Sequence, residues 1–309
     1  MLQPLDPADP VLVACSGGPD SLALAGALAF EADRTQRPAG AVVVDHGLQP
    51  GSGDVCRRTA TTLRSLGLDP VEVVPATVRP GTGGLEAAAR EARYAVLDAA
   101  ADRHRATLVL LGHTRDDQAE QVLLGLARGS GARSLAGMPA ARGRYRRPLL
   151  GLTRAQTRAA CEAEGLTWWD DPMNEDPSFA RVRARRAVAG LEADLGPGVA
   201  AALARTARQL RADAELLDDL AAGATAALGE GPWPAEGLAA LPEAVRTRAW
   251  RLLLLAAGAP AGQVSHRHVE ACDRLLTSWR GQGPVHVPGG LRVSRSGGLV
   301  VIGPPAPVE

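Results

Sequence analysis

The sequence predicts an α/β protein: a parallel sheet with helices on both faces, then a helical extension and a small α+β carboxyl-terminal domain. Continuous apolar runs alternate with segments of helical spacing through the first 127 residues, as in consecutive strand–helix units. A Gly/Pro-rich break at 229–235 then follows a long helical pattern. We therefore expect one domain at 1–228 and a smaller one at 236–309, joined by a linker at about 212–235.

The elements follow in order along the chain. Short apolar runs such as VLVAC suit strands buried on both faces, and predict strands at 11–15, 41–44, 70–74 and 107–111. Helical spacing predicts helices at 21–30, 54–66, 84–105, 115–127, 154–165, 178–192, 198–228, 241–257 and 266–278. The Gly- and Arg-rich stretch 129–148 predicts a loop. Short strands are expected at 284–287, 291–295 and 299–302.

Composition narrows the classes of function. The 309 residues are 46% hydrophobic and 22% charged, which is typical of a globular chain with a sizeable core. All 34 basic residues are arginine, which excludes a Walker lysine and a Schiff-base lysine. Four scattered cysteines predict buried thiols in a reducing cytosol. No signal peptide or spanning apolar run is visible, so we expect a cytoplasmic protein without membrane association.

The first motif, SGGPDS, lies between a strand and a helix. Two glycines allow close backbone approach to an anion, and a helix start adds free N–H donors. An ordinary capped strand–helix turn is the alternative. The motif lacks the Walker and Rossmann spacings. We predict that the turn binds nucleotide phosphates through six residues: Ser16, Gly17, Gly18, Pro19, Asp20 and Ser21.

Two further motifs follow strands of the predicted sheet. Asp45 and His46 end the second strand, and His113 follows the fourth, just before a helix with carboxylates at 116, 117 and 120. In such sheets, ligands bind beyond the carboxyl ends of the strands. These carboxylates could bind Mg²⁺, take up a proton or pair with a cationic substrate. Acidic residues are also favoured in any first helical turn, which is the simpler explanation.

Several of these strings carry a family resemblance over residues 11–186. SGGPDS resembles the SGGxDS PP-loop of the N-type ATP pyrophosphatases. Further strings resemble motifs of the lysidine synthases. Three of them match the family motif letter for letter: VDHGL, RGSG and RPLL. In this chain GHTRDDQAE resembles the family's GHHxDDQxET, DPMNED resembles DPSNxD, and RVRAR resembles RNRIR. Thr114, Gln121, Met173, Val182 and Ala184 depart from the family pattern. After about residue 230 the resemblance is weak.

The resemblance implies an adenine-nucleotide α-hydrolase-like fold and a two-step reaction. ATP would adenylate O2 of the wobble cytidine C34 of tRNA(Ile), and L-lysine would then displace AMP. The implied cofactors are ATP and Mg²⁺, and the implied partners are tRNA(Ile), L-lysine and a second copy of the chain in a homodimer. Residues 236–309 would bind tRNA.

The resemblance also suggests roles for individual residues. Ser16 to Ser21, with Asp45 and His46, would hold the nucleotide. The remaining roles are catalysis by His113, Asp117 and Glu120, a contact to the metal by Asp116, and contacts to tRNA by Arg128, Arg181 and Arg185.

Three rival classes remain open at this stage. A PP-loop tRNA thiolase should carry cysteines for sulfur transfer or a cluster, and the four here are scattered. An amidotransferase-linked synthetase usually needs a glutaminase partner. A nucleotide-binding module without turnover would need neither the acidic helical face nor the Arg-rich stretch that follows it.

Overall fold

The computed structural model describes residues 8–47, 49, 51–78, 84–129 and 131–304, without the side chains of Leu85 and Glu86. Leu48 of the VDHGL string and Ser130 of the RGSG string lie outside the described residues. The chain divides after Arg211 into two compact units.

The first unit is built on a mostly parallel sheet. Its first four strands are β1 Val11–Ala14, β2 Ala39–Asp45, β3 Val71–Pro75 and β4 Leu108–Leu111. They lie in the order β3-β2-β1-β4 and pair in parallel. The helices between them are α1 Pro19–Thr35, α2 Ser52–Ser65, α3 Gly84–Arg103 and α4 Arg115–Ala127. The predicted fold class is confirmed.

Strand alternation explains why helices cover both faces. Val11 and Val13 are buried in one core cluster together with apolar residues of α1 and α2. Leu12 points the other way, into a second cluster that includes Leu97 of α3 and Val109 of β4. Successive side chains of a strand point to opposite faces, so a continuous apolar run requires cover on both.

The stretch 129–148, predicted to be a loop, contains regular structure. A short helix, α5 Ala132–Leu135, precedes a hairpin of β5 Ala141–Arg142 and β6 Tyr145–Arg146. Strand β6 pairs in parallel with β4, with Tyr145 opposite Val109, and thereby extends the sheet. A strand of two residues is too short to show a period, so packing of the buried Tyr145, and not the local pattern, places it here.

Three further helices follow the hairpin: α6 Arg154–Ala163, α7 Ala180–Leu195 and α8 Val199–Leu228. Short 3-10 helices at Pro148–Gly151 and Pro172–Asn174 precede α6 and α7. Helix α6 packs on α1, and α7 packs on α4. In the described part of the chain, no single helix has the length and apolarity to cross a bilayer; only α7 and α8 taken together, across a 112° bend, reach that level.

The second unit combines helices with a four-stranded antiparallel sheet. Its helices are α9 Ala235–Ala239, α10 Glu243–Ala256 and α11 His266–Thr277. Its strands are β7 Trp233–Pro234, β8 Val285–Val287, β9 Leu291–Ser296 and β10 Leu299–Gly303, in the order β7-β10-β9-β8. Trp250, Leu275 and Val293 are fully buried at its core. Strand β7 and the start of α9 lie in the Gly/Pro-rich break, which therefore contains ordered structure.

The strand glycine Gly40 provides a test of packing between β1, β2 and the turn before β3. A Cβ at Gly40 would lie 2.5 Å from the Pro70 carbonyl oxygen and 2.9 Å from Leu12. We expect Gly40→Ala to destabilise the protein by about 2 kcal/mol, because backbone atoms must shift. Gly190 in α7 has open space around it. Gly190→Ala should instead stabilise by about 0.5–1 kcal/mol. Urea unfolding of both variants decides; equal midpoints would contradict this account of Gly40.

Candidate active site

A cleft of about 730 Å³ opens in the first unit at the carboxyl ends of β1, β2 and β4. Its walls include Ala14 of β1, Val44 of β2 and Leu111 of β4. Most of the residues singled out from the sequence line it: Ser16, Gly18, Pro19, Asp20, Ser21, His46, His113, Asp117, Glu120, Arg181 and Arg185. The motifs from separate strand ends therefore meet in one place.

The turn between β1 and α1 is held in a fixed shape. Gly17 has φ +83, a conformation that favours glycine, and a Cβ there would lie 2.5 Å from the Thr59 hydroxyl oxygen. The Ser21 hydroxyl donates to the Gly18 carbonyl at 3.0 Å and accepts from the Ser16 N–H at 3.1 Å. Ser21 is buried and Ser16 is exposed. Ser21 thus braces the turn from within, while Ser16 can face a ligand.

The amino-terminal end of α1 is a donor site for anions. Pro19 is the first helical residue, and Gly18 precedes it without a side-chain hydrogen bond that caps the helix. The first turn of a helix has N–H groups without intrahelical partners and the positive end of the helix dipole. From the other side, the Trp169 N–H donates to the Gly17 carbonyl at 2.9 Å. Gly18 itself lines the cleft.

Arg154 connects three carboxylates in the wall of the cleft. Its Nη2 lies 2.9 Å from Asp117 Oδ1 and 3.4 Å from Glu120 Oε1. Its Nε lies 3.6 Å from Asp20 Oδ2. Glu120, which is 3% exposed, also accepts from Nε of Arg185 at 2.9 Å. Arg154 is not among the site residues predicted from the sequence, because an arginine at the start of a helix such as α6 is ordinarily a surface residue.

The ionisation of the two aspartates differs. Burial acts to raise the pKa of Asp117, but the Arg154 charge and hydrogen bonds from the Thr114 N–H and hydroxyl outweigh it and lower that pKa. Burial raises the pKa of Asp20 despite a hydrogen bond from the Thr157 hydroxyl and the charge of Arg154. Asp117 is therefore a fixed anion, suited to hold a cation, and Asp20 gains a proton more readily.

Two uncharged imidazoles lie in the same cleft. Burial lowers the pKa of His113 to about 3, and the positive charge of Arg93 contributes, although Asp117 opposes it. Burial and Arg93 also lower the pKa of His46. Within the described residues, Nδ1 of each ring is buried and has no hydrogen-bond partner. Both rings are neutral at physiological pH and can exchange hydrogen bonds with a ligand.

Four residues predicted to act here do not line the cleft. Gly17 shapes the turn, and Asp45 accepts from the Gly47 N–H at 2.9 Å. Asp116 accepts from the Arg154 backbone N–H at 2.7 Å. Arg128 is exposed at the other end of α4 from His113, where its Nε donates to the Leu124 carbonyl at 3.0 Å. A metal contact by Asp116 and a tRNA contact by Arg128 stay predictions.

A turn of sequence SGGPDS between a buried parallel strand and a helix, facing a cleft at the sheet edge, is the arrangement of a PP-loop protein. Residues 1–192 match the family described as a PP-loop domain, and residues 234–299 match the TilS substrate binding domain. The sequence is 56% identical to the tRNA(Ile)-lysidine synthase of Thermobifida fusca over 94% of this chain and 91% of the relative.

The tRNA(Ile)-lysidine synthase of Streptomyces coelicolor is 56% identical over 94% of this chain and 84% of its own. The chain belongs to the tRNA(Ile)-lysidine synthase family. The solved structure of the U34-tRNA thiolase of Methanococcus maripaludis covers 67% of this chain and 73% of its own at a TM-score of 0.57. At 19% identity, that likeness concerns the fold alone.

His113 makes a pH-dependent contribution to stability. Below about pH 6.5 the unfolded imidazole binds a proton, whereas the folded one stays neutral until about pH 3. The contribution is thus complete above pH 6.5 and is lost as the pH falls through this window. Between pH 7 and 5 we expect the free energy of unfolding to fall by about 1–2 kcal/mol more in the wild type than in His113→Asn. The free energies of unfolding are measured by urea unfolding at each pH. An equal fall between pH 7 and 5 in the wild type and in His113→Asn would refute a neutral His113 imidazole.

Proposed function

We propose that the protein is a ligase that forms a C–N bond between L-lysine and the wobble cytidine of tRNA(Ile). ATP adenylates O2 of the base, and the lysine ε-amine then attacks C2 and releases AMP. Support comes from the PP-loop beside an acidic wall in one cleft. It also comes from relatives named tRNA(Ile)-lysidine synthase, which match nearly the whole chain. Residues 234–299 match a substrate-binding domain, to which we assign tRNA contacts.

The turn at 16–21 favours cleavage between the α and β phosphates of ATP. Its donors are the helix-start amides and the Ser16 hydroxyl, which suit the β and γ phosphates that leave together. With these held, the α phosphorus is open to attack by an oxygen of the base. Pyrophosphate and AMP, not ADP and orthophosphate, are the products of that geometry.

The carboxylates around Arg154 suit the cationic amino acid. Asp20, Asp117 and Glu120 face two guanidiniums, those of Arg154 and Arg185. One formal negative charge is left over, which an ammonium group can balance. Asp117, with its lowered pKa, would hold the cation. Asp20, whose pKa is raised, is the better acceptor for the proton that the amine must lose before it attacks.

Mg²⁺ would enter with the nucleotide. The described residues contain no group of three or more His, Cys, Asp or Glu side chains arranged around a metal ion. Mg²⁺ commonly binds through phosphate oxygens, water and one or two carboxylates. A cleft that offers single carboxylates beside the nucleotide phosphates therefore still fits this ion. Asp116 remains the ligand predicted from the sequence. The ion would neutralise charge on the phosphates.

The thiolase alternative gains little from the cysteines. Cys15, Cys56, Cys161 and Cys272 are all buried and unpaired. Burial raises the pKa of each thiol, to about 12 for Cys272. A thiol that carries sulfur has to be accessible and readily deprotonated.

The reaction is tested with purified protein, ATP, labelled lysine and bulk bacterial tRNA. We expect label to enter tRNA, with pyrophosphate release that requires tRNA and AMP release that requires both tRNA and lysine. Unlabelled tRNA after complete reaction would reject the ligase, and ADP with orthophosphate would reject the proposed phosphate geometry. Bulk tRNA without tRNA(Ile) is the control for substrate choice.

The acidic wall is tested by Asp117→Ala and Glu120→Ala. Each should abolish lysidine formation, because the lysine cation loses its partner. The exposed Asp33 in α1 provides a control, and Asp33→Ala should keep full activity. Formation of the adenylated tRNA, trapped without lysine, separates the two steps and should persist if only the second fails. Wild-type lysidine yield in either wall variant would remove the proposed role.

A further inference from the structure

A cluster of three arginines surrounds Tyr94 and has no part in the function proposed so far. Nη2 of Arg90 and Nη2 of Arg147 lie 3.3 and 3.2 Å from the Tyr94 hydroxyl, to which both donate. The Cζ atoms of Arg90 and Arg93 lie 5.1 and 6.0 Å from the centroid of its ring. We call Arg90, Arg93 and Arg147 the Tyr94 cluster. Arg90 and Arg93 line the cleft.

The Tyr94 cluster is held in place from below. The Tyr94 ring meets the Tyr145 ring edge-on, with centroids 4.8 Å apart, and the Tyr145 hydroxyl donates to Asp98 at 2.7 Å. Arg147 is 4% exposed, and its Nη1 donates to a backbone carbonyl at 2.9 Å. Its Nε is buried without a hydrogen-bond partner in the described part of the chain. The Tyr94 ring and the Arg147 side chain are thus fixed in position by neighbouring groups.

The charge of the Tyr94 cluster is not balanced by the residues that the structure describes, among which no carboxylate forms an ion pair with Arg90, Arg93 or Arg147. Burial lowers the pKa of Arg90 and Arg93, and repulsion from neighbouring arginines contributes. Elsewhere in the cleft, by contrast, Arg154 and Arg185 are paired with carboxylates. Positive charges gathered in a half-buried site repel one another, and a bound anion relieves that repulsion.

We infer that the Tyr94 cluster is a second phosphate-binding site in the cleft, separate from the PP-loop, and that it takes a backbone phosphate of the bound RNA. The inference rests on the proposed function, because that function brings an RNA strand into this cleft. A nucleotide in a single-stranded loop carries a phosphodiester on each side. Cationic side chains beside aromatic ones are the usual means of holding such a strand.

Arginine geometry favours this ligand. Guanidiniums offer planar, two-point contacts to phosphate oxygens, and the Tyr94 hydroxyl fixes two of the three in orientation. The PP-loop differs, because it offers backbone amides and a hydroxyl, which suit the terminal phosphates of a nucleotide. The α phosphate of ATP is the other phosphate that could reach the Tyr94 cluster, and the experiment separates the two sources.

The experiment compares Arg93→Gln with Arg103→Gln, both on helix α3. Arg103 is exposed at the end of the helix and pairs with Glu72, so it is the matched control. We measure the affinity of a synthetic anticodon stem–loop RNA at several salt concentrations, and of a non-hydrolysable ATP analogue. Arg93→Gln should weaken RNA binding about 10-fold at low salt and reduce the salt slope by about 0.7, as for one lost phosphate contact. Its affinity for the ATP analogue should stay within about two-fold of the wild type, and Arg103→Gln should match the wild type in both.

The outcomes separate this inference from the proposed function. Wild-type protein that does not bind the RNA would overturn both. RNA binding by the wild type, with unchanged affinity and salt slope in Arg93→Gln, would overturn the inference alone. Weaker binding of the ATP analogue with an unchanged salt slope for RNA would assign the Tyr94 cluster to the nucleotide and overturn the RNA assignment.

A second variant and thermal unfolding distinguish a ligand site from a structural one. Tyr94→Phe keeps the ring and all three charges but removes the hydroxyl that orients Arg90 and Arg147, so RNA affinity should fall by about three-fold. Without RNA, Arg93→Gln should unfold at the same temperature as the wild type or higher, because repulsion is relieved. A lower unfolding temperature in Arg93→Gln would mark a structural arginine and overturn the inference.

Discussion

The site depends on one interaction above all, the contact of the Arg154 guanidinium with carboxylates from two other helices. Asp20 comes from the PP-loop end of α1, and Asp117 and Glu120 come from α4. These carboxylates are largely withdrawn from water, and together they would repel one another. A buried charge deprived of its partner costs about 3–5 kcal/mol, so Arg154 fixes the relative positions of α1, α4 and α6 as well as their charge. The turn at 16–21 and the acidic wall are therefore held together by Arg154.

The cleft has one region with excess negative charge and another with excess positive charge. Around Arg154 the acids outnumber the arginines, and around Tyr94 three guanidiniums gather without an ion pair to a carboxylate of the described residues. His46 and His113 remain neutral in the same space, because burial, with a contribution from the charge of Arg93, lowers the pKa of both imidazoles. An ordered pattern of anion, neutral and cation sites suits a reaction with a polyanionic nucleotide, a polyanionic RNA and a cationic amino acid.

Much of the fold and part of the site could be predicted from sequence. The parallel strands and their helices are local patterns, and SGGPDS carries its chemistry in six consecutive residues. Arg154 could not be found this way, because it meets Asp20 across 134 positions of the chain and only the packing of α6 on α1 brings them together. The Tyr94 cluster depends in the same way on Arg147, and on Tyr145 in a strand of two residues. Contacts between distant segments leave no period in the sequence.

The cations described in the cleft wall are guanidiniums, and the chain has no lysine side chain to place there. A guanidinium keeps its proton under all physiological conditions and is a poor nucleophile. In the proposed reaction, an electrophilic base activated in this cleft would therefore meet no lysine side chain of the protein itself. In the proposed reaction, the free amino acid therefore has no competing amine from the protein, and the activated base cannot form an adduct with a lysine of the cleft wall.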